Sequence, residues 1–217
     1  MNKIGFAILS FALLLTACED PAANKARALT SNSTTASNSQ AAPAPAKGEN
    51  LAVTPDNSKV LFTGSKVTGK HEGGFNKFTG AIDLVNEKPT ESNVTVDIET
   101  ASVFTDTDGL TKHLQTGDFF EVEKYPKATF TSTQIVPAPE GGSKFMITGN
   151  LEMHGVTKAV TFPATIEVAP GQVTANAEFA LNRKDFNVNY PGMPDDLIRD
   201  EVLLKLAVTA PRAAAHG

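Results

Sequence analysis

Eight times between Val60 and Val208 the chain sets an apolar residue at every second position, and a period of two is that of a strand with one buried face. The first run covers 60–67, with Gly64 inside it as a bulge or a point of close approach. A turn at His71-Glu72-Gly73-Gly74 leads to the second, 75–85, where Phe78, Gly80, Ile82 and Leu84 share a side. Val94, Val96 and Ile98 mark the third, and 127–136, with Ala128 and Phe130, the fourth. The remaining four cover 145–153, 160–168, 173–181 and 202–208, separated by turns such as His154-Gly155 and Pro170-Gly171. Eight strands joined mostly by short turns predict an all-β, antiparallel fold. A closed eight-stranded barrel is preferred over a sandwich because closure removes the exposed edges.

One stretch breaks the pattern. In 105–130, Leu110, His113, Leu114 and Gly117 fall at helical spacing, with Asp108 placed to cap the start. Asp118 and Glu121 then have the spacing of a capping box around Phe119 and Phe120, and Pro126 closes the segment. A short helix with one apolar side needs a sheet to lie on, and the open end of a curled one is the simplest site.

Residues 1–17 begin with Lys3, continue through the apolar run 4–15 and end in small residues, the layout of a secretory signal peptide. Cys18, the single cysteine, follows Leu15-Thr16-Ala17, and Leu-Thr-Ala-Cys resembles the bacterial lipobox. That resemblance implies lipidation of Cys18 and a membrane-anchored lipoprotein of the bacterial envelope, with its domain in the periplasm or at the cell surface; two acyl chains anchor stably where one does not. With this thiol consumed, no disulfide is available and stability falls to the core. Residues 18–50 are mostly Ala, Ser, Thr, Asn and Pro, with Leu29 the only large aliphatic, which predicts a disordered tether. The folded domain is expected over 51–211, followed by a tail, 212–217.

A net charge of -5 without a basic stripe excludes a nucleic-acid binder. The chain has no G-x-S-x-G elbow and no phosphate-cradling loop, and its histidines show no short ligand spacing, so neither a metal nor a cofactor is expected. Thirteen Phe against two Tyr and no Trp supply apolar bulk with few polar handles. His113 stands out as a titratable group beside Leu110 and Leu114, either hydrogen-bonded to fix the helix or touching a ligand. Arg183, Lys184 and Asp185 open the long loop 182–200, a solvated turn or a cation at the barrel mouth.

Several pieces resemble the YceI-like proteins, lipocalin-shaped exported proteins associated with polyisoprenoid or other lipid binding. They are Leu110-Thr111-Lys112-His113-Leu114, the run Asp118-Phe119-Phe120 to Tyr125-Pro126 and on to Phe130, Ile147-Thr148-Gly149-Asn150-Leu151, His154-Gly155-Val156-Thr157-Lys158, and Asn182-Arg183-Lys184-Asp185-Phe186. Departures are Thr111, where many members are acidic, and Asn187, where many have glycine. The resemblance implies an eight-stranded lipocalin-like barrel with the helical insert near one end and an interior that takes an isoprenoid tail. The expected lining and mouth are Phe62, Phe78, Ile82, Leu114, Phe119, Phe130, Phe145, Ile147, Phe162, Ile166, Phe179, His113 and Arg183. Small residues on the same faces, Gly80, Gly149, Ala164, Ala175 and Ala177, either leave room for a chain or fit the taper of a filled barrel.

The expected role is a non-catalytic carrier or store of a polyisoprenoid-like lipid, tied to the membrane by its anchor, with homodimer formation left open. Two alternatives stand beside it: an enzyme on a small apolar substrate using His113 and Asp118, and a ligand-free surface or stress interaction module.

Overall fold

The computed structural model describes residues 20–33 and 48–212. In chain order the strands are β1 Leu29–Asn32, β2 Glu49–Val53, β3 Lys59–Lys66, β4 Gly69–Phe75, β5 Phe78–Leu84, β6 Asn93–Glu99 and β7 Val103–Thr105. Helix α1 follows at Asp108–Leu114, then β8 Lys127–Pro137, β9 Lys144–Met153, β10 Val156–Ala169, β11 Gln172–Asn182, β12 Gly192–Met193, β13 Asp196–Leu197 and β14 Glu201–Pro211. All but β12 and β13 belong to one antiparallel sheet of twelve strands, in the order β2-β5-β6-β8-β9-β10-β11-β14-β3-β4-β7 with β1 laid on β10. It curls into a half-barrel with the helix across one end. Each of the eight expected runs is present, as β3, β5, β6, β8, β9, β10, β11 and β14, but the expected total of eight strands is too low.

One of the added strands comes from glycines read as a turn. His71 to Gly74 lies inside β4, paired with Gly64, Thr63, Phe62 and Leu61 of β3, while β7 pairs along the other side. A Cβ on Gly73 would sit 2.6 Å from the Phe62 ring and 2.3 Å from the Phe104 carbonyl oxygen. Glycine is used here because two neighbours press on the strand, which a turn signal cannot distinguish from a bend. Gly64, by contrast, pairs in regular register with His71 and has nothing near it, so it is not a bulge.

The sheet's two flanks are joined by the short segment between β2 and β3. β2 pairs with β5, β3 pairs with β14, and between them Ser58, 1% exposed, accepts the Thr209 N–H through its hydroxyl. At the same end Arg212 donates to Glu49 and Glu87 at 2.8 and 2.9 Å.

The expected disordered tether is corrected at both of its ends. β2 is an ordered strand, and residues 20–32 pack on the wall of the half-barrel. β10 and β11 pair only over Thr165–Ala169 and Gln172–Asn176, then diverge. The arm fills the slot between them: the Ala28 N–H donates to the Ala180 carbonyl, the Ala180 N–H donates to Ala26, and β1 pairs with Lys158–Thr161 of β10. Ala22 is buried with Ala180 and Leu203. Large aliphatics are not required because the arm is held by backbone groups that would otherwise go unpaired. The signal peptide, Cys18 and most of the remaining tether lie outside the described residues.

The inner faces of β5, β9, β10 and β11 make the main core, crossed by Phe162 stacked on Phe179 at 4.3 Å with Phe130 tilted against it at 5.7 Å. A smaller cluster of Val103, Leu114, Phe119 and Val188, with Phe62, Phe75 and Tyr190, lies under the helix.

Candidate functional site

The core does not fill the half-barrel. A cavity of about 500 Å³ runs through it, walled by inward residues of the strands and closed over at one end by α1, the turn at Phe119-Phe120 and the loop carrying Val188 and Tyr190. Of the residues expected there, Phe62, Phe78, Ile82, Phe130, Ile147, Phe162, Ile166 and Phe179 line its wall, and Leu114, Phe119 and His113 line its helical end. Phe145 does not. It lies at the start of β9, beyond the cavity, and packs on the core between Ala164 and Pro137.

The small residues divide into two kinds. Ala164, Ala175 and Ala177 line the cavity and leave its space open. At Gly149 the space is taken: a Cβ there would stand 2.3 Å from the Phe130 ring and 2.6 Å from the Thr131 carbonyl. Gly80 likewise sits under Thr95 and Val96.

At the helical end the local architecture differs from the capping pattern. Thr107 occupies the N-cap of α1, so Asp108 lies in the first turn instead. The Asp118-Glu121 capping box does not form either, because Asp118 pairs with His113, Nε2 to Oδ2 at 2.7 Å, and Glu121 adopts a left-handed backbone, φ +46°. The imidazole is held edge-on against Phe119 and Tyr190, at 5.1 and 5.0 Å, so His113 fastens the helix to the loop as well as facing the cavity. Thr111, in place of an acidic residue, accepts the Thr105 N–H through its hydroxyl at 2.9 Å. Asn187 takes the left-handed φ of +59° that glycine would favour, a conformation asparagine tolerates better than most residues.

Arg183 corrects an expectation. Its side chain borders the cavity, but it is 5% exposed and its guanidinium is spent on backbone carbonyls: Val188 at 2.6 Å, Arg199 at 3.1 Å and Ile198 at 3.4 Å. Burial lowers its pKa, opposed by nearby Asp200. A buried cation held by three loop carbonyls ties the loop 188–199 together.

The charged groups that do reach the mouth are ones the periodicity could not flag. Lys66 pairs with Asp196, whose carboxyl also accepts from the Thr68 side chain and N–H. His71 pairs with Asp106 at 2.9 Å. The hydrogen bond from Lys66, aided by Thr68 and opposed by partial burial, holds the Asp196 carboxyl below its ordinary range. Lys66, His71, Met193 and Asp196 all border the cavity, so an apolar interior opens onto a rim of ion pairs. The glycine-turn reading hid His71, and 192–198 is too short to show a period. Among the described residues no group of three or more His, Cys, Asp or Glu could hold a metal ion, and no helix is long and apolar enough to cross a membrane.

Comparison with known proteins gives a consistent answer. The YceI-like domain profile matches residues 51–210. A UPF0312 protein of Pseudomonas putida is 37% identical over 126 residues, which take in 55% of this chain and 65% of that relative's length. Burkholderia cenocepacia BcnA superposes with a TM-score of 0.65 at 28% identity, covering 73% of this chain and 99% of BcnA. A polyisoprenoid binding domain from Saccharophagus degradans shares the fold, with a TM-score of 0.60 at 16% identity over 75% of this chain and 99% of that domain. With the profile covering nearly the whole half-barrel, the chain belongs to the YceI-like family.

Proposed function

We propose that the protein holds an amphiphile with a long apolar tail, of the polyisoprenoid kind, as a non-catalytic carrier or store in the bacterial envelope, and that lipidation of Cys18 anchors it there. The observation that carries this reading is the cavity, ring-lined inside and ion-paired at its rim. Its volume lies within the roughly 300–1,000 Å³ of small-molecule sites. Each buried methylene contributes about 0.8 kcal/mol, so a tail is retained with few polar contacts. The rim gives a polar end somewhere to stay wet. The shared fold of a domain described as polyisoprenoid binding fits the same picture, through the fold alone.

Native mass spectrometry of the exported domain, with and without an added prenyl lipid, tests it. A one-to-one adduct is expected, and Ala177→Phe, which grows into the cavity, should lose the adduct while the circular dichroism stays that of a sheet. A protein that is ligand-free throughout and ignores added prenyl lipid overturns the reading.

One observation favours a second reading. The His113–Asp118 pair at 2.7 Å stands beside an apolar cavity, an arrangement that could move a proton on a small substrate. Asp118→Asn, at a position that does not border the cavity, separates the two: it sharply lowers turnover in an enzyme and spares prenyl-lipid binding in a carrier.

A further inference from the structure

Five large apolar side chains are left exposed among the described residues, and three of them lie together beside the cavity opening: Val67, Met193 and Leu197, exposed at 58%, 61% and 50%, with Met193 alone of the three bordering it. Val67 is the turn residue between β3 and β4, and its N–H donates to the Leu197 carbonyl. Met193 and Leu197 flank the tip of the β12–β13 hairpin, which Lys66 and Thr68 fasten to the β3–β4 turn through Asp196. Met193 and Asp196 also border the cavity, so this apolar tip and the cavity opening share one rim.

The first described residues are fixed at the same place. Asp20, the first described residue, pairs with Arg199 at 3.6 Å, and the Arg199 N–H donates to the Ser65 carbonyl, one residue before Lys66. Ala22 then anchors the segment by burial against Ala180 and Leu203. Cys18 stands two positions before Asp20. Two residues reach at most about 7 Å. An acyl chain on that cysteine would then enter the bilayer within this covalent reach of Asp20.

We propose that the helical end of the half-barrel is a bilayer-docking surface, in which Val67, Met193 and Leu197 enter the membrane interface beside the cavity mouth while the short leash from Cys18 to Asp20 holds them there. Tail exchange between bilayer and cavity then crosses no water. The proposal rests on the lipid-binding, anchored reading above. The docking is apolar rather than electrostatic, since Asp195 and Asp196 sit at the same tip.

The test uses the lipidated full chain in vesicles of phosphatidylethanolamine and phosphatidylcholine. Cys18 is the single cysteine, so with its sulfur in a thioether a new cysteine is the one free thiol. An environment-sensitive dye on Leu197→Cys should shift to the blue and be quenched by spin-labelled lipid; the same dye on Glu140→Cys, in the turn between β8 and β9 at the opposite end, should report water. Both signals should survive high salt. Mass spectrometry of the amino-terminal peptide reads the acyl group separately. Acylated protein whose Leu197→Cys dye reports water, or is released by salt, overturns docking and leaves the anchor standing; a peptide without acyl chains overturns both. In the doubly substituted Val67→Asp, Leu197→Asp chain, neither position borders the cavity, so the amount of bound lipid should be unchanged while transfer from vesicles slows by at least about tenfold. Unchanged transfer also overturns the proposal.

Discussion

Gly149 shows how little slack the wall has. It lies on the same face as Ile147 and Leu151, in a strand where alternation calls for a side chain, and the Phe130 ring occupies the place that side chain would take. Gly149→Ala pushes a Cβ into that ring and into the Thr131 carbonyl at once, and a backbone oxygen cannot swing away as a side chain can. A loss of about 1–3 kcal/mol in urea denaturation is expected, the usual cost of overpacking. The sequence placed Gly149 on the inner face but could not say whether its missing side chain left a hollow or admitted a neighbour, because that depends on a ring two strands' worth of sequence away. Arg183 failed for the same reason. Its charge was visible, but its three carbonyl partners come from a loop whose path the sequence does not disclose.

Among the elements, the β12–β13 hairpin is held mainly from outside itself. Asp196 gathers Lys66 and Thr68, and these contacts stabilise its ionised form, so its folded pKa lies below the ordinary value of 3.8. A depressed carboxyl contributes stability that is complete above that ordinary value and is lost as pH falls through the lower, folded one. Acidification below about pH 3.8 should therefore release the hairpin from the β3–β4 turn before the sheet unfolds. Hydrogen exchange at Val67, whose amide is bonded to Leu197, reads this directly, and Asp196→Asn should show the loosened state already at neutral pH. If the protection of the Val67 amide, corrected for intrinsic exchange, is unchanged both by acidification and by Asp196→Asn, Asp196 is not what holds the hairpin. Long elements such as β8, β10 and β14 were legible because many residues repeat the same alternation; the two-residue strands β12 and β13 offer no repeat to read. β1 and β7, four and three residues long, were missed because they too are short of a repeat.

Across the whole molecule, the feature with the longest reach is the slot between β10 and β11. Its filler, residues 26–32, leaves the ribosome early, yet its partners Ala180 and Lys158–Thr161 follow about 130 to 150 residues later. Contacts that span so much chain form slowly, after closer ones have paid the entropy of bringing their surroundings together. The strand made first is thus sewn in last, and interactions absent from the folding transition state govern how fast a protein comes apart rather than how fast it assembles. A chain lacking residues 20–33 should refold at nearly the native rate and unfold roughly tenfold faster in stopped-flow denaturant jumps; slower refolding with unchanged unfolding would show the seam closing early instead. By this logic the amino-terminal segment acts as a clasp on the lifetime of the closed shell, and a protease that clips it would shorten that lifetime without touching a single residue around the hollow.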